Sequence, residues 1–307
     1  MTREIFIFIA CLLLLLPVVF YAGDISASHQ LIICLPFILM LGIPHGAIDN
    51  VLYLRDQRIN NSRFIAVYLV FVSFNVVLWL FVPNIAYLLF LFLSAFHFGQ
   101  SQFSHYFSKQ LIGYKILYLL WGVAILSALV YFNIEEIQQI VSQESDFAVL
   151  AKSHHLKTVH ATFLVASSAT LVLLAVLVLK KRISVASLLM EYIVFALVLI
   201  SFYLMPLIIG FTLYFIILHS FKVLREEYKF LIGESEVKSV FTFVKLVAPF
   251  TLFSFAGIAF LFALIYFDLL NLSYGYCLLI IISSITLPHV FVMNKFYNYF
   301  ISAKYHD

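Results

Sequence analysis

The amino-acid sequence predicts an all-α protein, a polytopic transmembrane bundle of about ten helices, because its apolar runs match the thickness of a bilayer core. Of the 307 residues, 64% are hydrophobic and 11% are charged, whereas a soluble globular domain carries roughly 25% charged residues. Lysine and arginine also cluster between alternate runs, as in chains that cross a membrane repeatedly. We therefore expect a multi-pass protein of the cell (inner) membrane with both termini in the cytoplasm.

Ten apolar runs account for this prediction, and a helix of about 20 residues can cross a hydrocarbon core of roughly 30 Å. Pro83 separates the third run from the fourth, and Met205-Pro206 separates the seventh from the eighth. Proline disfavours helical geometry in the residue before it, so we predict a turn at both positions. The runs are 4–22, 30–54, 64–82, 84–107, 113–132, 159–179, 183–203, 205–224, 244–267 and 273–300.

The basic residues predict the orientation, since 16 of the 18 fall in segments that alternate along the ten runs. Cytoplasmic loops are enriched in lysine and arginine. Only Lys152 and Lys157 lie elsewhere, in an acidic 133–158 loop. We therefore predict one integral membrane domain over 1–307, with an extracytoplasmic loop at 133–158 and a cytoplasmic loop at 225–243. The 16 residues are Arg3, Arg55, Arg58, Arg63, Lys109, Lys115, Lys180, Lys181, Arg182, Lys222, Arg225, Lys229, Lys238, Lys245, Lys295 and Lys304.

The first run has a second interpretation, since residues 5–20 follow a short basic start, as the apolar region of a secretory signal does. The run is slightly long for a signal, and Tyr21-Ala22-Gly23 is a poor cleavage site. We predict a retained helix, and cleavage would leave the topology of the later runs unchanged.

Other classes of site lack support in the sequence. The three cysteines, Cys11, Cys34 and Cys277, are scattered in apolar runs and give neither a disulfide framework nor a thiolate metal site. Nothing in the chain is typical of a nucleic-acid-binding module, a phosphate-binding glycine loop or a nucleophile elbow. We expect no nucleic-acid partner.

Four histidines lie in the second, fourth, eighth and tenth runs: His45, His97, His219 and His289. These runs all point from outside to inside in the predicted topology, which puts the four side chains in the cytoplasmic half of the membrane. Ionisable residues at membrane depth are costly and usually functional. Neutral imidazole is a ligand for iron, zinc and copper, and helix bundles build metal sites from facing helices. The competing interpretation is that each histidine makes an interhelical hydrogen bond.

Asp49 lies four residues after His45, on the same face of a continuous helix. It is therefore a candidate acceptor for the outer N–H of a metal-binding histidine. The alternative is a helix-end residue near the interface. We predict that the other six histidines are interfacial or solvated: His29, His105, His154, His155, His160 and His306.

At these residues the chain resembles the Brp/Blh family of bacterial and archaeal β-carotene 15,15′-dioxygenases. The resemblance covers residues from about 40 to 295, and its first motif is the distinctive one. The matching motifs are Gly42-Ile43-Pro44-His45-Gly46-Ala47-Ile48-Asp49, Phe96-His97-Phe98-Gly99, Leu218-His219-Ser220 and Leu287-Pro288-His289.

The resemblance implies a membrane enzyme with histidine-bound Fe(2+), which cleaves the central double bond of β-carotene with O2 to give two retinals, commonly for a rhodopsin. It implies that His45, His97 and His219 are iron ligands, while His289 matches a recurrent Pro-His motif. A further family histidine is replaced by Val223, and an acidic residue after His-Phe-Gly is missing, with Gln102 near its place. Either His289 or His105 completes the site, or the activity is changed or lost.

Two other functions remain open from the sequence. A non-catalytic membrane protein could bind a carotenoid or retinal and assist opsin biogenesis. A transporter that uses the histidines as a proton relay fits less well, because the sequence predicts no acidic residue deep in the membrane. Metal content separates the dioxygenase from both alternatives.

Overall fold

The computed structural model describes residues 3–54, 60–107, 111–153, 156–232 and 240–304, and all regular structure within these ranges is helical. Ten long helices form a bundle, and a short helix, Ile134–Gln143, lies between the fifth and sixth. The long helices are α1 (Arg3–Ala22), α2 (Ala27–Tyr53), α3 (Asn61–Phe81), α4 (Pro83–Phe103), α5 (Ile112–Phe132), α6 (Leu156–Leu179), α7 (Val185–Leu204), α8 (Leu207–Leu231), α9 (Val240–Tyr266) and α10 (Tyr274–Lys304).

Nine of these helices in the described part of the chain are long and apolar enough to cross a membrane. The exception is α4, which has 21 residues but carries His97, Gln100 and Gln102 in its second half. The polytopic helical bundle predicted from the sequence is confirmed. The cytoplasmic position of the termini stays a prediction.

The predicted helix ends hold to within a few residues, with one larger difference. The predicted 225–243 loop is largely helical, because helical structure continues through Phe221–Ile232 and α9 begins at Val240. Charged residues on one side of this extension and apolar residues on the other make it amphipathic, which a search for uniformly apolar runs misses. Several positions used above lie outside the described residues: Arg55, Arg58, Lys109, His154, His155, Lys238 and His306.

Helices α4 and α5 cross at two glycines. A Cβ atom at Gly99 would clash with the backbone carbonyl of Tyr118, and one at Gly122 would clash with that of Ala95. Small residues at such crossings let membrane helices pack backbone to backbone. The contact places α4 in the interior of the bundle, where ten of its residues are buried.

At the end of the bundle where α2 and α8 begin, side chains accept hydrogen bonds from the first backbone N–H groups of α8. Glu136, on the short helix, accepts hydrogen bonds from Gln30 Nε2 at 2.7 Å and from the backbone N–H of Leu207 at 2.8 Å. Gln30 Oε1 accepts from the N–H of Ile208 at 3.0 Å. The first N–H groups of a helix lack intrahelical partners, so these contacts anchor the start of α8.

Helix α1 packs on the same core. Its side chains Ile5, Phe8 and Leu12 are buried in the main hydrophobic cluster. Glu4 forms an ion pair with Arg225 in the extension of α8. These contacts connect α1 to the helix that contains His219.

The Gly99→Ala variant should lower the thermal unfolding temperature in detergent. The added methyl group meets backbone atoms of α5, and overpacking of this kind costs about 1–3 kcal/mol. Gly257→Ala in α9 is the matched control, because a Cβ there meets nothing within 4 Å. Equal unfolding temperatures for the two variants would contradict the crossing geometry.

The orientation can be tested by cysteine labelling in a background without the three native cysteines. Ser142 and Arg182 are both exposed. We expect a membrane-impermeant maleimide to label Ser142→Cys in intact cells, and to label Arg182→Cys only after permeabilisation. The reverse pattern would invert the predicted topology.

Candidate metal centre

The four histidines predicted from the sequence meet at one point in the bundle. Their side chains are buried, with relative exposures of 8% (His45), 3% (His97), 1% (His219) and 4% (His289). His97 lies with its ring centroid 4.8 Å from that of His219 and 4.9 Å from that of His289. His45 lies 5.0 Å from His289 and 5.4 Å from His219. One ligand nitrogen from each of His45, His97 and His289 lies within 4.8 Å of the others.

Two π-helical segments position this centre. Ile38–Gly42 directly precedes the His45 segment, and Tyr214–Ser220 contains His219. Single π turns inside α-helices occur frequently at functional sites. The two segments are in contact, because a Cβ at Gly42 would lie 2.8 Å from Cε1 of Phe215. A glycine at position 42 therefore leaves space for the Phe215 ring beside His45.

Three of the imidazoles have a hydrogen-bond partner at Nδ1. His45 Nδ1 contacts the carbonyl oxygen of Gly42. The Nδ1 atom of His219 lies 2.9 Å from Ser101 Oγ, and that of His289 lies 2.8 Å from Asp49 Oδ1. A metal-binding histidine commonly donates its other ring N–H to such an acceptor.

Four of the five remaining ring nitrogens are buried polar atoms without a protein partner. Among the described residues, these are Nε2 of His219, Nε2 of His289 and both ring nitrogens of His97. A buried polar atom without a partner costs about 1–3 kcal/mol. A metal ion at this point could accept one nitrogen from each of these three rings, so the donor set fits a metal such as iron or zinc.

Asp49 lies beside the centre and contacts His289, not the histidine four residues before it. The helix is interrupted at Ile48, whose φ is −106° and ψ is 19°. His45 and Asp49 therefore do not share the face of one continuous helix. The Asp49 carboxylate instead accepts from His289 Nδ1, across the bundle, and from the hydroxyl of Tyr68 at 3.2 Å.

Val223 and His105 are the two further positions that bear on the ligand set. Val223 is fully buried in a hydrophobic cluster with Ile48, Met293 and further apolar side chains. His105 is exposed, in a short 3-10 turn after α4, where its ring lies against Tyr106. Of the two histidines weighed as the fourth member, His289 is the one in the cluster.

Glu191, in α7, is a buried acidic residue that sequence reasoning did not single out, with 3% exposure. Its carboxylate accepts from Gln102 Nε2 at 2.7 Å and from the hydroxyl of Tyr106 at 2.8 Å. Both oxygens are paired, so Glu191 joins α7 to the end of α4. Among the described residues, Glu4, Asp49 and Glu227 are buried as well.

Sequence reasoning missed Ser101 and Lys222. The hydroxyl of Ser101 contacts His219, and Lys222 Nζ donates to the carbonyl oxygens of Ser101 at 2.6 Å and Gln102 at 3.1 Å. Serine and lysine near the end of an apolar run are common, so neither position stands out in the sequence alone.

A polytopic helical bundle with four buried imidazoles at its centre defines an apolar, membrane-type protein with a candidate metal site. The chain belongs to the beta-carotene 15,15'-dioxygenase family, whose model matches residues 37–297 and so includes all four histidines. This match confirms the resemblance noted from the motifs. No curated protein and no solved structure matches the chain.

Substitution of Val223 tests whether this position belongs to the centre. We expect Val223→His to lower the unfolding temperature without raising metal content, because it places a polar ring in a fully buried apolar cluster. Val223→Met is the control, because methionine is apolar and similar in volume to histidine. A Val223→His protein that is as stable as the control and binds metal more tightly would show that position 223 faces the histidines.

Proposed function

We propose that this protein is a membrane-bound non-haem iron dioxygenase, which cleaves the central double bond of β-carotene or a related carotenoid to give retinal. The observation that supports this best is the cluster of four buried rings, in which ligand nitrogens of His45, His97 and His289 lie within 4.8 Å of one another and His219 lies against His97 and His45. Membership of the beta-carotene 15,15'-dioxygenase family supports the substrate class.

The proposed iron ligands are the four histidines, and three of them, His97, His219 and His289, have a buried nitrogen without another partner. Imidazole suits Fe(2+) and carries no charge into an apolar interior. Iron held there would supply the activation of O2, which is chemistry that side chains cannot perform. The carbonyl of Gly42, the hydroxyl of Ser101 and the carboxylate of Asp49 would hold three of the rings in place.

Aromatic side chains provide the apolar surroundings that a polyene requires. The ring of Phe98 lies 4.7 Å from that of His219, and the ring of Phe215 lies 5.8 Å from that of His45. Phe211 stacks on Phe215 at 5.3 Å, which extends the apolar surface away from the histidines. Such walls exclude water, and water exclusion protects reactive species from side reactions.

A second candidate function is a non-catalytic membrane protein that binds a carotenoid or retinal and assists opsin biogenesis. The observation that favours it is Val223, which stands where the family resemblance implies another ligand. Under either proposal the ligand is a polyene, and a rhodopsin is the expected recipient of retinal. The two candidates differ in metal content and turnover.

Co-expression in a β-carotene-producing bacterium separates them. We expect the natural chain to bleach the cells, to yield retinal by chromatography, and to purify with about one iron per chain. His219→Ala should abolish both retinal and iron, because it removes one buried donor. His160→Ala is the control, since His160 is exposed on α6 and stacks on Tyr131.

Each outcome decides between the proposals. Polyene that co-purifies with a metal-free chain, without retinal, would replace the dioxygenase with the binding protein. A His219→Ala protein that keeps its iron while His160→Ala loses it would remove the proposed centre altogether.

A further inference from the structure

We propose that Ser101 is a positioning residue, which holds His219 as the Nδ1–H tautomer so that Nε2 presents its lone pair to the centre. The inference rests on the proposed metal site for its functional meaning, although the tautomer itself is independent of any metal. Ser101 is 3% exposed and lies on α4, four residues after His97. It therefore lies on the same helix as His97 and contacts His219 on α8.

The hydroxyl group of Ser101 has two neighbours and one proton. Its Oγ atom lies 2.9 Å from the carbonyl oxygen of Phe98 and 2.9 Å from His219 Nδ1. A carbonyl oxygen only accepts hydrogen bonds, so the hydroxyl proton belongs to the contact with Phe98. Ser101 Oγ must then accept from His219, which requires a proton on Nδ1.

The opposite arrangement makes one hydrogen bond fewer. If the hydroxyl donated to Nδ1, the hydrogen bond from Ser101 to the carbonyl of Phe98 would be lost. Nε2 is buried without a partner among the described residues in either tautomer. The Nδ1–H tautomer therefore keeps both contacts of Ser101 and leaves a lone pair, not a proton, on Nε2.

Lys222 fixes the backbone at Ser101. Its Nζ atom donates to the carbonyl oxygens of Ser101 and Gln102, the last turn of α4. A cation is favourable at this end of a helix, where carbonyl groups lack intrahelical partners. Lys222 also follows His219 by three residues on α8. One helix therefore provides both the ring and the side chain that holds its acceptor in place.

Two neighbouring contacts support the same tautomer for other rings. His45 Nδ1 contacts a carbonyl oxygen, and His289 Nδ1 contacts a carboxylate oxygen, and both are acceptors. The hydroxyl of Ser101 is the one acceptor of the three that could also donate. The carbonyl of Phe98 therefore determines whether the Ser101 hydroxyl donates to His219 or accepts from it.

The first test uses the metal-free protein. Histidine labelled with ¹⁵N distinguishes protonated from unprotonated ring nitrogens by solid-state NMR in lipid, and the His219 signals are identified by their loss in His219→Gln. We expect Nδ1–H and an unprotonated Nε2 in the natural chain, and a mixture of tautomers in Ser101→Ala. A natural chain with Nε2–H, or a Ser101→Ala spectrum identical to it, would overturn the inference.

The second test measures affinity for Fe(2+) and for Co(2+) by competition with a chelator. We expect Ser101→Ala to bind about 10–100-fold more weakly, as for other residues that orient metal-binding histidines. Ser101→Thr, which keeps a hydroxyl, should restore the affinity. Ser94→Ala is the control, since Ser94 is also buried on α4, two turns earlier.

Failure of the proposed metal site and failure of the positioning role of Ser101 give different results. A natural chain that binds neither ion removes the proposed function, while the NMR result still decides the tautomer. A natural chain that binds the ions, with equal affinity in Ser101→Ala, removes the positioning role and leaves the metal centre. Weaker binding in Ser94→Ala as well would assign the effect to packing of α4 and would also remove the positioning role.

Discussion

The structure depends on one constraint: an apolar interior offers no water, so every polar atom placed there needs a partner within the protein. Four imidazoles bring eight ring nitrogens into such an interior. Three outer nitrogens are paired by unrelated groups, which are the backbone of Gly42, the hydroxyl of Ser101 and the carboxylate of Asp49. Of the other five, four are buried without a partner among the described residues, as expected of a site that binds a ligand.

The helices that carry His45 and His219 have irregular backbone near these rings. Pro44 has no N–H, so the turn before His45 lacks one helical hydrogen bond, and a π-helical segment occupies that turn. The interruption at Ile48 allows Asp49 to face His289. The second π segment contains His219 itself. In the described part of the chain, both π-helical segments thus lie in helices that supply the site, α2 and α8.

Helix α4 shows how the polar centre and the lipid surface are separated. Its first half is apolar, whereas its second half contains His97, Gln100, Ser101 and Gln102. Each of the last three has a partner on another helix: Asn294 on α10 for Gln100, His219 on α8 for Ser101, and Glu191 on α7 for Gln102. The close approach at Gly99 and Gly122 makes this burial possible. A helix that faces protein on most sides need not be as apolar as its neighbours, and α4 therefore fell short as a candidate span.

The sequence was sufficient for the features that depend on composition and spacing, and insufficient for those that depend on distant partners. Long apolar runs predicted the helices, and histidines at similar depth on co-directed runs predicted that the rings could meet. The spacing of four residues did not show which histidine Asp49 contacts, because it assumes an unbroken α-helix and Ile48 breaks it. Ser101 and Glu191 act across 118 and 89 residues of sequence, and no local pattern encodes those pairs.

The position of Val223 follows from the same constraint. Ile48, Val223 and Met293 come three or four residues after His45, His219 and His289, and all three are fully buried. They form an apolar layer about one helical turn from the rings. Beyond it, Tyr297 donates a hydrogen bond to Glu226 at 3.0 Å. A histidine at position 223 would bring a fifth ring into this layer, with two more nitrogens to satisfy among apolar neighbours. Glu227 follows Val223 by four residues on the same helix, and both of its carboxylate oxygens are buried and unpaired. A donor from α10 carries its own partner, because Asp49 already accepts from His289. Within the proposed centre, His289 therefore provides a fourth imidazole whose outer nitrogen is already paired.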